Sequence, residues 1–458
     1  MAIEIVNPWT GQVDYRYAMM DGAAVEARLD AAERAFPPWS ALTLAERAEV
    51  LNTVARALRA GKASIADVVT AEMGKLRREA LAEIEKSAGC CEYYAAHAAR
   101  YLGDEMIATE ARRSFVTYEP IGCVLAVMPW NFPIWQVFRF LAPALMAGNV
   151  ALLKHATNVP RCADLIERVL REAGVPEGVF AALHIDNAQT AAVIADARIK
   201  AVTLTGSERA GRSVAATAGA HLKKCVMELG GSDPFVVLAD ADLDAAMPIA
   251  LSSRFGNAGQ TCIAAKRFIL VEAIADAFVE RFVAGARALA VGDPMIDATT
   301  LAPMARADLR TSVHRQVQAS VAAGARLLCG GEPLDRPTAY PATILDGVAP
   351  GMPAYHEELF GPAASILRVK DEAEAARIAN DTSFGLGASV WTRDAERGER
   401  VARGIAAGAV FVNALVRSDV RLPFGGTKAS GFGRELAGTG AVGYLGYQLA
   451  PSGWRPVG

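Results

Sequence analysis

Val124-Leu-Ala-Val-Met128 is an unbroken apolar run, and the chain after it alternates such runs with helical spacing. Residues 135–146 read as a helix, Val150-Ala-Leu-Leu153 as a second strand, 159–173 as a helix and 179–183 as a strand. Residues 190–195 form a short helix, Ala201-Val-Thr-Leu204 another strand and 210–218 another helix. Strands that are apolar on both faces, separated by helices, are the pattern of a parallel sheet covered on both sides. The segment is therefore an α/β unit of the nucleotide-binding kind.

Upstream, Ala, Leu, Glu and Arg recur at spacings of three and four, predicting helices over 21–36, 43–60, 64–73 and 75–101. Downstream, a second α/β unit has strands near 234–238, 266–271, 325–328 and 364–369, with helices over 243–255 and 274–289. A chain of 458 residues exceeds the roughly 250–300 at which one core stops growing, so at least two lobes and a crevice are expected. The net charge of −3 offers no broad positive field for nucleic acid. Seven cysteines include no CxxC pair, which disfavours a zinc knuckle or a disulfide framework. No apolar run approaches a membrane span, and the N-terminus lacks an export pattern. The expectation is a cytoplasmic protein without metal, nucleic-acid partner or membrane.

Phe255-Gly-Asn-Ala-Gly-Gln-Thr-Cys-Ile263 sets Cys262 behind a Gly/Asn-rich bend, and Glu228-Leu-Gly-Gly231 lies 34 positions before that cysteine. On residue type alone, Cys262 reads equally as a small buried hydrophobe and Glu228 as a solvated carboxylate at a sheet edge. A sharply shaped backbone is needless for a core cysteine, however. The pair reads as a thiol nucleophile and a carboxylate base.

With Pro129-Trp-Asn-Phe-Pro133, Leu204-Thr-Gly-Ser207, Glu358-Leu-Phe-Gly-Pro362 and Pro423-Phe-Gly-Gly426 in the same order, the chain resembles the aldehyde dehydrogenase superfamily from Asn7 to about Glu435. The wording of 128–136, 152–160 and 228–235 is most similar to bacterial succinate-semialdehyde dehydrogenases. The resemblance implies a Rossmann-like cofactor domain (1–105 and 121–230), an α/β catalytic domain (231–422) and a small antiparallel oligomerisation arm (106–120 and 423–458). It further implies that Cys262 attacks the aldehyde, Asn131 stabilises the oxyanion and Glu228 activates water, with no metal. Asn131 taken singly is also a plain turn residue.

For the cofactor, the resemblance implies contacts from Trp130, Lys154, Thr157, Gly206, Ser207, Gly211, Glu358 and Phe360, although no G-x-G-x-x-G fingerprint follows a strand. Relatives that prefer NAD often carry a glutamate where Thr157 stands. A neutral hydroxyl there admits a 2′-phosphate, so NADP is favoured and NAD stays open. For the substrate, the expected residues are Arg139, Trp135, Arg421 and Phe424, with Arg139 equally readable as a surface helix arginine. Gly256 replaces a second arginine found in some relatives, and Arg421 is expected to supply that charge. Succinate semialdehyde is the expected substrate. Aromatic walls admit a neutral aromatic or medium-chain aldehyde as the alternative, and a non-catalytic binding protein on the same scaffold is the reading from another class. Relatives assemble through the arm; 115–118 suits its hairpin, while the glycine-rich tail beyond Leu436 weakens strand pairing. A homodimer is expected, with a tetramer open.

Overall fold

A computed structural model describes residues 2–437 and 449–451. The four N-terminal helices are Gly22–Ser40, Leu44–Ala60, Lys62–Met73 and Arg77–Leu102. Local chemistry fixes the starts of the first two: the Asp21 carboxylate accepts the Ala24 N–H at 2.8 Å, and Thr43 with Glu46 forms a reciprocal capping box. The first helix was expected to stop before Pro37-Pro38 but continues to Ser40. Trp39, 1% exposed, anchors that last turn in the core, so packing outweighs the lost backbone bonds.

The first sheet has six strands in the order Gly431–Phe432, Lys224–Glu228, Ile199–Thr205, Cys123–Met128, Val150–His155 and Phe180–Ala182. All but the first run parallel, so Met128, His155, Thr205 and Glu228 end on one edge. Chain order reverses between Cys123–Met128 and Ile199–Thr205. Such a switch point opens a crevice at the carboxyl ends of the strands. One apolar core joins residues of the N-terminal helices to this sheet.

The second sheet has seven strands, ordered Arg326–Cys329, Thr343–Asp346, Ala363–Val369, Ala265–Val271, Asp233–Val237, Gly387–Trp391 and Ala409–Val412. Three of these, at 343–346, 387–391 and 409–412, carry too few residues for sequence periodicity to mark. Alternate residues enter two apolar layers: Val236 and Ile269 face one, Phe235, Val237, Phe268 and Leu270 the other. Leu229 to Ser232 carries the chain from the carboxyl edge of the first sheet to the amino edge of the second, and the two edges therefore face each other across four residues.

In the arm, Ser114–Val116 pairs with Glu105–Ile107, and Tyr118–Pro120 pairs with Leu449–Pro451. The glycine-rich stretch 438–448 lies outside the described residues. Among the described residues no helix is long and apolar enough to cross a membrane, and no cluster of His, Cys, Asp or Glu could hold a metal.

One remote pair fixes the helix Trp135–Met146. Glu83 accepts the Ile134 and Trp135 N–H groups at 2.8 and 2.9 Å and pairs with Lys75, both side chains being buried. The Lys75 ammonium in turn lies 3.7 Å from the Phe132 ring centre. Glu83→Ala strands a buried cation and two orphan donors, for an expected loss of about 3–5 kcal/mol. The check is the thermal midpoint, which should fall clearly; an unchanged midpoint would remove this pair from the structure's supports.

Candidate active site

The loop bearing Cys262 leaves the helix Leu243–Phe255 through a tight turn, Gly256–Gly259. Asn257, Ala258 and Gly259 are consecutively left-handed, with φ of 52°, 53° and 70°. For Ala258 that conformation costs roughly 1–2 kcal/mol. Its surroundings hold it there: fully buried Arg254 donates to the carbonyls of Gly259 (2.7 Å), Gly361 (2.8 Å) and Ala265 (3.1 Å). Glu79 accepts the Asn257 N–H at 3.0 Å, and the Gln260 side chain spans from Asn257 O (3.1 Å) to the Ala305 N–H (2.9 Å). Lys266 donates to the Thr261 and Cys262 carbonyls at 3.0 and 2.7 Å and pairs with Glu358 at 3.3 Å.

On this loop Cys262 is half-buried and free. Burial pushes its thiol up to about 11, against the opposing fields of Lys266 and Arg139. Asn131 follows the strand Cys123–Met128 and is tied to the same loop: its Nδ2 donates to Gln260 O at 2.9 Å and its carbonyl accepts Asn257 Nδ2 at 2.9 Å. One Nδ2 hydrogen is left for a further acceptor.

Glu228 ends its strand 2% exposed, with neither oxygen hydrogen-bonded among the described residues. Burial first, then the negative Glu435, raises its pKa well above the carboxylate range, while Arg139 opposes. A Cβ on Gly425 would come within 2.7 Å of Glu228 Oε1, so glycine is what leaves the carboxylate room. Gly231 likewise lets the Cys262 carbonyl approach, a Cβ there meeting it at 2.8 Å.

A cavity of about 340 Å³ reaches Cys262 and is walled by Trp135, Phe424, Arg139, Lys86 and Arg417. That is the usual size of a small-molecule site. Arg139 is buried rather than on a helix surface. It pairs with Glu435, donates to Thr205 Oγ1 at 2.9 Å and lies 4.9 Å from the Phe424 ring centre. Arg421 is displaced from its expected role: it is exposed, grips Asp419 through two bonds of 2.8 and 2.7 Å, and does not line the cavity. Arg417 and Ser418 border the cavity instead, Arg417 with its side chain largely in solvent. Lys86, on the helix Arg77–Leu102, also lines it and was not singled out by the sequence, where it is one more charge on an amphipathic helix.

The cofactor candidates gather along the carboxyl edge of the first sheet. Ser207 caps the helix Glu208–Ala220 through the Ala210 N–H at 3.3 Å, beside Gly206, leaving other first-turn donors for an anion. Gly211 gives close helix–strand packing, since a Cβ there would strike Leu229. Lys154 is half-buried with no ion-pair partner among the described residues, and Thr157 is exposed. Glu358 accepts the Gly231 N–H at 3.0 Å, and a Cβ on Gly230 would collide with its carboxylate. Phe360 and Trp130 meet edge-on at 5.8 Å. An anion-ready helix start, a lysine without an ion-pair partner among the described residues and a cradled carboxylate fit a dinucleotide cofactor.

The aldehyde dehydrogenase family model matches residues 1–448. The chain is 48% identical over 455 residues to a probable succinate-semialdehyde dehydrogenase (NADP(+)) of Synechocystis sp., covering 99% of this chain and 100% of that one. It is 48% identical over 433 residues to the succinate semialdehyde dehydrogenase (NAD(P)+) Sad of Escherichia coli K12, covering 94% and 92%. The crystal structure of succinic semialdehyde dehydrogenase from Streptococcus pyogenes in complex with NADP+ superposes with a TM-score of 0.94 at 38% identity, covering 96% and 97%. With the family model matching residues 1–448 and relatives matching over nearly the whole length, the chain belongs to the aldehyde dehydrogenase family.

Proposed function

We propose that this enzyme oxidises succinate semialdehyde to succinate, using NADP in preference to NAD. The observation that carries the reading is a cavity that ends at Cys262 and has cationic side chains, Arg139, Lys86 and Arg417, in its wall. Similarity to relatives named for this substrate supports it. The aromatic faces of Trp135 and Phe424 favour the second reading, a neutral aromatic or medium-chain aldehyde.

The chemistry follows from the side chains. Once its proton has passed to solvent, the Cys262 thiolate adds to the aldehyde carbon and forms a C–S bond, while the carbonyl oxygen takes the electron pair. That oxyanion is met by the remaining Asn131 N–H and the Cys262 backbone N–H. A bound nicotinamide supplies a hydride acceptor. Hydride loss from the former aldehyde carbon leaves a thioester on Cys262. Glu228, in its ionised form, takes a proton from water, which attacks the thioester carbon and releases carboxylic acid and thiolate. Glu358 and Lys154 would hold the two riboses, Ser207 the phosphates, with Trp130 and Phe360 flanking. Thr157 places no negative charge where a 2′-phosphate would lie. The division into a cofactor domain (1–105, 121–230), a catalytic domain (231–422) and an arm, assembling as a homodimer, belongs to the same proposal.

Burial raises the pKa of both groups, that of the Cys262 thiol to about 11, so the ligand-free thiol is protonated at neutral pH. Rising pH deprotonates them, so Cys262 alkylation by iodoacetamide should accelerate steadily from about pH 7 to 9. A rate already level at neutral pH would mean that the thiol is ionised by a field absent from this geometry. For the substrate, kcat/KM for succinate semialdehyde should exceed that for benzaldehyde or hexanal by about a hundredfold, roughly 2.7 kcal/mol. NADP should outperform NAD in the same assay. Preference for the neutral aldehydes would leave the thiol chemistry standing and transfer the substrate to the second reading.

A further inference from the structure

The cations around the cavity are not equivalent. Arg139 is already neutralised by Glu435 and spends one N–H on Thr205. Arg417 has its guanidinium 4.0 Å from Asp419 and is largely in solvent. Lys86 differs from both. Its ammonium donates to Ser418 Oγ at 2.7 Å and sits 4.1 Å from the ring centre of Trp135, a cation–π distance. No carboxylate of the described residues lies within ion-pair distance of it. The nearby Glu83 is committed to Lys75 and two backbone N–H groups, and Asp419 to Arg421. Lys86 is exposed and lines the cavity, where water reaches its ammonium. At Gly256 the wall of the same cavity offers no cation, and the nearest side-chain atom to a Cβ there is Glu79 Oε1 at 3.9 Å.

A cation held by a hydroxyl and an aromatic face, facing the cavity with two of its three N–H bonds uncommitted to oxygen, is arranged to receive an anion. Resting on the substrate reading above, we propose that Lys86 binds the remote carboxylate of the aldehyde and sets the preference for carboxylated over neutral substrates. Arg139 then acts as a positioning residue through its pairing with Glu435. A substrate carboxylate would meet Lys86 without first displacing a resident partner, whereas at Arg139 it would have to compete with Glu435.

The test compares wild type, Lys86→Met, Lys86→Arg and Arg417→Ala with succinate semialdehyde and with butanal, its neutral four-carbon counterpart, and measures competitive inhibition by succinate. Methionine keeps the stem that packs on Trp135. Lys86→Met should cut the preference for the carboxylated aldehyde by about 10- to 100-fold, mainly through KM, and weaken succinate inhibition in proportion. Lys86→Arg should restore most of that preference. Equal losses on both aldehydes, an unchanged preference, or transfer of the effect to Arg417→Ala would each overturn the assignment. A wild type with no preference for the carboxylated aldehyde would instead refute the substrate reading itself, and the two failures are thereby separate.

Discussion

The Arg254 guanidinium, wholly inside the protein and bonded to the carbonyls of Gly259, Ala265 and Gly361, is the constraint from which the rest of the site takes its shape. Three successive left-handed residues would not persist on their own energetics, since only glycine adopts that conformation without penalty. A buried guanidinium needs several acceptors to offset its desolvation, and the left-handed turn is what aims those carbonyls at one point. The two features therefore stabilise each other. Their joint product is the position of Cys262, three residues before the strand Ala265–Val271 and in reach of the loop bearing Asn131.

A second consequence is electrostatic. Lys266, Arg139, Glu228, Glu435 and Glu358 are gathered into a region from which water is largely excluded, so each charge is felt by its neighbours more strongly than in water. In the ligand-free site burial raises the pKa of both Cys262 and Glu228. The glycines at 230, 231 and 425 serve this arrangement by making space for carboxylates and a carbonyl that any Cβ would displace.

Much of this was legible in the chain because it depends on local pattern. Apolar runs alternating with helical spacing marked the strands Cys123–Met128, Val150–His155 and Ile199–Thr205 to within a few residues. The bend before Cys262 and the Gly230-Gly231 pair announced tight backbone geometry. What was not legible depends on contacts made far apart. Lys86 and Ser418 are 332 positions apart, and no helical periodicity says which helix charge will meet which loop. Arg421 was given the role of a substrate cation because it neighbours Pro423-Phe424; its proximity to Asp419 decides otherwise, since two short bonds hold it outside the cavity. Arg139 was placed near substrate, but its pairing with Glu435 could not be read from spacing. The short strands 343–346, 387–391 and 409–412 exist because their neighbours in the sheet complete them.

Covalent catalysis by Cys262 with Glu228 completing turnover, as proposed, is tested most directly by intact-protein and peptide mass spectrometry of the Glu228→Gln variant. Mixed with NADP and succinate semialdehyde and quenched in acid, that variant is expected to carry one succinyl group on the peptide containing Cys262, formed with one equivalent of NADPH, because the thioester forms and then is not hydrolysed. NADPH formation with no adduct at Cys262, or an adduct on another cysteine, would contradict the assignment of nucleophile and base.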